Sequence, residues 1–173
     1  MPPEGLIAVG RLTRPHGLGG ELVFLPYVYD LELLPDLVQQ PVFLQHGHTP
    51  VHTATILEWR VANKRVLVRL QGCKDIETAE AWREYEVCIP RSWFAPLPEG
   101  EYYWFEIEGL AVYAHDGGYL GTVAEIIYTG SNDVYVVRNG SQERLIPALR
   151  NVVQRIDLAC AAIHLYPVAG LLD

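Results

Sequence analysis

Apolar and polar residues alternate along most of this chain in short runs, each broken by turn-forming residues. Leu6–Thr13 (LIAVGRLT), Glu21–Tyr27 (ELVFLPY), Pro41–Gln45, Val51–Trp59, Arg65–Leu70 and Glu86–Ile89 each read as a strand. The tripeptide ANK separates the fourth from the fifth as a turn. One segment departs from the alternation. In CKDIETAEAWREYEV, Ile76, Ala79 and Trp82–Arg83 recur at helical spacing, Asp75 is placed to cap the start and Thr78 occupies the third helical position. Residues 1–90 are therefore expected to form a small, mostly antiparallel β domain with one helix.

The pattern stops at PRSWFAPLPEGE, which carries three prolines and a glycine and has no period. Residues 91–100 are expected to be a linker. Beyond it, HDGG, TGSND and NGSQ separate the runs GLAVYA, YLGTVAEIIY, VYVVR and ERLIP. Short strands at this spacing, with almost no helical pattern, suggest a second small barrel over residues 101–173. Asn139-Gly140 is the strongest hairpin signal, because both residues tolerate positive φ.

Charge changes the picture. The chain has 13 Lys and Arg against 21 Asp and Glu, a net charge of −8. Up to Arg91 there are nine basic and eleven acidic residues; after it there are four and ten. An acidic second half suits a basic protein partner better than bare nucleic acid. Cys73, Cys88 and Cys160 are odd in number and form no C-x-x-C, which argues against zinc and against a disulfide framework. There is no apolar run of bilayer length, and MPPEGLIAVG lacks the order of a signal peptide, so a cytoplasmic protein without membrane association is expected.

Four constellations carry candidate chemistry. GRLTRPHGLGGEL begins like a dinucleotide fingerprint at Gly17-Leu18-Gly19, but position 22 is Leu and a strand follows; the Gly-Lys-Ser/Thr of a P-loop is absent. Pro15 pushes Arg14 toward extended geometry, while Gly17, Gly19 and Gly20 supply a tight reversal. His16 has no identifiable nucleophile or acid beside it. The loop reads as a shaped turn, with Arg14, Pro15, His16, Gly17 and Gly20 as a contact surface and no catalytic role. His46, His48 and His52 flank a turn without the spacing of a metal site. Glu106 and Glu108 read as a solvated acidic face. The run Tyr102-Tyr103-Trp104-Phe105 is more informative. If extended, its alternate rings point to opposite sides, so some must lie near the surface. Interface and domain packing are equally compatible with this chemistry.

Taken in order, several of these stretches resemble the RimM family of bacterial ribosome maturation factors. They are GRLTRPHGLGGEL, DIETAEAWR, EGEYYWF, DGGYLGTV, TGSNDVYVVR, LIP and the terminal GLLD. Leu149-Arg150 departs from the family's apolar or acidic pair. The resemblance implies an N-terminal six-stranded β-barrel like those of translation factors and reductases, and a C-terminal PRC barrel. It also implies a non-enzymatic factor, without cofactor, that assists assembly of the small ribosomal subunit's head and rRNA processing. Its implied partners are the basic small-subunit ribosomal protein nineteen and the small subunit with its rRNA, met by a monomer. The family's paired tyrosines match Tyr102 and Tyr103, with Glu99, Glu101, Glu106 and Glu108 as acidic surroundings. The competing reading is an enzyme whose reductase-like barrel binds a flavin or nucleotide.

Overall fold

Strand β1 (Leu6–His16) organises the N-terminal part of the molecule, pairing antiparallel with β2 (Glu21–Pro26) and with β6 (Glu86–Pro90). Strands β3 (Pro41–Gln45), β4 (His52–Ala62) and β5 (Arg65–Leu70) close a six-stranded barrel in the order β1-β2-β5-β4-β3-β6. The computed structural model describes residues 5–27 and 33–170, and the chain divides into two units, Met1–Pro96 and Leu97–Asp173. Leu171, Leu172 and Asp173 of the terminal GLLD lie outside the described residues.

Alternation along the strands becomes the inside and outside of the barrel. Leu12, Leu22, Phe24, Val42, Leu44, Ile56, Leu70, Val87 and Ile89 are all buried. Strand β1 continues through Pro15, three residues beyond the alternating run. Its pairing with β6 ends at Arg11, so at Pro15 only β2 is alongside and a missing N–H costs no ladder bond on the other edge. Strand β4 likewise extends to Ala62, because Asn63 (φ 49°) and Lys64 (φ 61°) make a two-residue turn that keeps Ala62 opposite Arg65.

Helix α1 (Leu33–Leu37) was not legible, since Pro35 interrupts its pattern; Leu34 and Leu37 are buried. Helix α2 (Ile76–Glu80) starts as its capping residues predict. The Thr78 N–H donates to Asp75 Oδ1 at 2.8 Å, and the Asp75 N–H donates back to Thr78 Oγ1 at 3.3 Å. It is shorter than the spacing suggested, with Trp82 and Arg83 in the turn that follows. A 3₁₀ turn at Arg91–Trp93 occupies the start of the stretch expected to be irregular.

The second unit opens with helix α3 (Trp104–Ile107) and continues as β7 (Ala111–Tyr113), β8 (Tyr119–Tyr128), β9 (Asp133–Asn139), β10 (Gln142–Pro147), β11 (Val153–Asp157) and β12 (Ala162–Leu165). These six strands form one sheet in the order β10-β9-β8-β7-β12-β11. Val112, Leu120, Val123, Val137, Ile146 and Ile163 share a single core cluster, against which Val153 and Ile156 of β11 pack. All six strands therefore line one interior, which requires the sheet to curl. β7 and β12 are paired in parallel, a contact between distant segments that local pattern does not reveal. The β9–β10 hairpin exists, but its loop is Gly140-Ser141, with Asn139 already paired to Gln142. Only Gly140 of these has positive φ (59°), so the turn has the glycine-first form rather than the Asn-Gly form.

Candidate functional site

The second unit's entry is built from Glu99 to Leu110. Gly100 takes φ 87° and the Glu101 N–H closes on the Pro98 carbonyl at 3.1 Å, turning the chain toward the sheet. Tyr102 then packs against the core cluster, in the neighbourhood of Tyr135. Burial, with Asp133 and Tyr102 adding to it, pushes the Tyr135 phenol up to about 12. Tyr102 is thus half-buried and carries a packing role whatever else it does.

After Tyr103, itself still extended, the backbone is helical. Glu106 folds back so that its Oε2 accepts the Tyr103 N–H at 3.0 Å, and the Glu106 N–H bonds to the Tyr103 carbonyl at 3.0 Å. This turn breaks the alternation that an extended run would have imposed. It gathers three rings: Tyr103 stacks on Phe105 with centroids 5.2 Å apart and planes 9° from parallel, while Trp104 meets Phe105 edge-on at 5.1 Å. Tyr103, Trp104 and Phe105 are each half-buried.

The four carboxylates are not equivalent. Glu99 and Glu101 are exposed. Glu106 is committed to the helix start. Glu108 is exposed too, but partial desolvation of its carboxyl, followed by the negative charge of Glu125, raises its pKa above the ordinary 4.5.

The opening loop lies on the other unit. His16 faces Glu21 across the hairpin, and residues 17–20 form the turn. Gly17 and Gly20 have positive φ (65° and 83°); Gly19 does not. A Cβ on Gly20 would lie 2.5 Å from the Cys73 carbonyl oxygen, whereas Gly17 and Gly19 have open space. Gly20 is therefore fixed by close approach to the segment entering α2, and Leu18 stands 80% exposed at the tip. Arg14 is exposed, and Pro15 and His16 are half-buried.

Sequence reasoning missed a ring cluster on the first unit. His46 packs on Tyr85 at 5.3 Å, His52 meets Trp82 at 5.4 Å, and Trp82 meets Tyr85 at 5.2 Å. Among the described residues no group of three or more His, Cys, Asp or Glu is placed to hold a metal ion. Nor is any described helix long and apolar enough to cross a membrane.

Comparison with known proteins covers both units. Residues 7–94 match the RimM N-terminal domain and residues 104–171 match the RimM PRC barrel domain. A ribosome maturation factor RimM from Geobacter metallireducens is 37% identical over 168 residues, covering 97% of this chain and 96% of the relative. One from Syntrophobacter fumaroxidans is 33% identical over 173 residues, covering 100% and 97%. A Pseudomonas aeruginosa crystal structure, assigned as a 16S ribosomal RNA processing protein RimM, is similar at 31% identity and a TM-score of 0.47, covering 95% of this chain and 98% of that one.

Proposed function

Since the chain belongs to the RimM family of ribosome maturation factors, we propose that it acts without catalysis, as a cytoplasmic, monomeric factor in small-subunit head assembly and rRNA processing. It binds the basic small-subunit ribosomal protein nineteen and holds it, with the surrounding rRNA, in a productive arrangement. Preference for one state of the assembling particle is sufficient to shift its folding.

The observation that carries this reading is the entry of the acidic second unit. Tyr103 presents a stacked ring at a short capped helix, next to the exposed carboxylates of Glu99 and Glu101. Aromatic anchors with charged surroundings are how protein interfaces concentrate affinity and steer association. Tyr102 supports the same contact from below, through the core. The flavin or nucleotide enzyme has less support in the sequence, since the dinucleotide fingerprint breaks at Leu22 and a strand follows it.

Binding of the isolated ribosomal protein by wild type and by Tyr103→Ala, at two salt concentrations, tests the assignment. A hot-spot ring costs about 2 kcal/mol or more on truncation. Glu99→Gln/Glu101→Gln is expected to change mainly the association rate and its salt dependence. Unchanged affinity in Tyr103→Ala, with its fold intact, removes the site.

A further inference from the structure

Strand register in the first barrel brings together cations that are scattered in the sequence. Across β1, β2, β5 and β4, Arg14 pairs with Val23, Val23 with Leu67, and Leu67 with Arg60. The adjacent row on the same side runs His16, Glu21, Arg69, Glu58. Leu22, Val68 and Leu70, which alternate with these rows along the strands, are buried in the barrel, so both rows lie on its outside, although Leu67 within the first row is itself buried. Arg65 lies on this face too, opposite Ala62, and Lys64 stands at the tip of the β4–β5 hairpin.

Among the described residues five cations thus lie with two carboxylates on the outer wall of these four strands. Both carboxylates are already engaged. Glu21 takes a two-pronged contact from Arg60, with Nε and Nη2 each at 2.7 Å, and Glu58 holds Arg69 at 2.6 Å. Among the described residues, Arg14, Lys64 and Arg65 have no ion-pair partner, and all three are exposed. Asp75, Glu77 and Glu80 belong to α2 and its cap, where Asp75 caps the helix and Glu80 pairs with Arg83. The near-neutral charge of the first half therefore conceals a segregated surface: a positive face on a protein of net charge −8.

We propose that this β1-β2-β5-β4 face of the N-terminal barrel docks on the phosphate backbone of RNA, with Arg14, Lys64 and Arg65 as the phosphate contacts. The inference rests on the ribosomal reading above and adds a second surface to it. Charge selects the occupant: three unpaired cations on a strongly acidic protein attract a polyanion and repel a basic polypeptide. In the closed six-stranded barrel β1 and β4 are half the circumference apart, so Arg14 and the β4–β5 cations lie around a curved wall and suit a phosphate backbone that wraps it. The face is built on a closed barrel, so its spacing is held without cost at binding.

The hairpin tip permits a test that separates charge from folding. Lys64 has positive φ, where glycine is favoured, so Lys64→Gly removes a charge without straining the turn. Protein-free small-subunit rRNA is titrated with wild type and with Arg14→Gln/Lys64→Gly/Arg65→Thr over a range of salt. Losing three phosphate contacts lowers the slope of log K against log salt by about 2 to 3 and weakens binding at low salt by roughly tenfold or more. Arg14→Lys/Arg65→Lys keeps the slope, because charge and not guanidinium shape is required; Arg150→Gln, on the other unit, also leaves it unchanged. An unchanged slope in the triple variant overturns the proposal. So does loss of affinity for the isolated basic ribosomal protein with rRNA binding intact. If wild type fails to bind small subunits at all, the ribosomal reading itself falls; if it binds them and the triple variant binds rRNA equally well, only this face is refuted.

Discussion

Gly20 shows what a single residue contributes to this fold. Its lack of a side chain lets the β1–β2 turn approach the Cys73 carbonyl, and its φ of 83° is one that other residues adopt only with strain. Gly20→Val is expected to destabilise the first unit by about 1–3 kcal/mol, by backbone strain and steric conflict. Gly19→Val, in open space at ordinary φ, is expected to leave the melting temperature nearly unchanged. Equal losses in both variants would contradict the close-approach account. Two glutamates make opposite predictions for pH. The Arg60 hydrogen bonds hold the Glu21 pKa below 4.5, so its contribution to stability is present above that value and is lost as pH falls through the folded-state pKa. Glu108 has a raised pKa, so its penalty is absent below 4.5 and grows as pH rises through the folded-state value. Glu108→Gln should therefore raise the melting temperature at neutral pH and have no effect in acid, whereas Glu21→Gln should lower it at neutral pH and converge with wild type in acid. Thermal melts across pH check both signs.

At the scale of elements, what the sequence revealed was local. Asp75 and Thr78 announced the start of α2, and Asp75→Ala is expected to cost about 1 kcal/mol in a thermal or denaturant melt, with Thr78→Ala similar because it serves the same cap. A change within experimental error in both would mean that the cap is redundant. Alternation identified all six strands of the first unit, since inside and outside of a barrel differ by one residue. It ended too early at Thr13 and Trp59, where pairing rather than pattern sets the boundary. The aromatic run misled for a related reason. Nothing in Tyr102-Tyr103-Trp104-Phe105 signals a helix except Glu106 in the position that reaches back to the Tyr103 N–H. The strands β11 and β12 carry polar residues within short apolar runs; they pair locally with each other, but the parallel partner of β12, β7, lies far back in the chain. The cationic face and the His–Trp–Tyr cluster were hidden for the same reason: both are assembled by register between distant strands.

For the whole molecule, the two proposed surfaces follow the distribution of charge. The proposed division gives the first unit an RNA-facing surface and the second a protein-facing one, joined through the proline-rich residues 91–100. Limited proteolysis is expected to cut first in that linker and to release fragments that remain folded; first cuts inside either β-unit would contradict the boundary. On this proposal two modest surfaces on one chain would distinguish an assembling head from a finished one, since simultaneous engagement depends on how protein and rRNA are arranged. The most direct measurement is therefore the affinity of the full chain for immature and for mature small subunits, in parallel and at one salt concentration. Tighter binding to the immature particle, reduced when Tyr103 or the Arg14, Lys64 and Arg65 set is replaced, is the predicted result. Equal affinity for the two particles, or binding indifferent to both sets of replacements, would contradict the account.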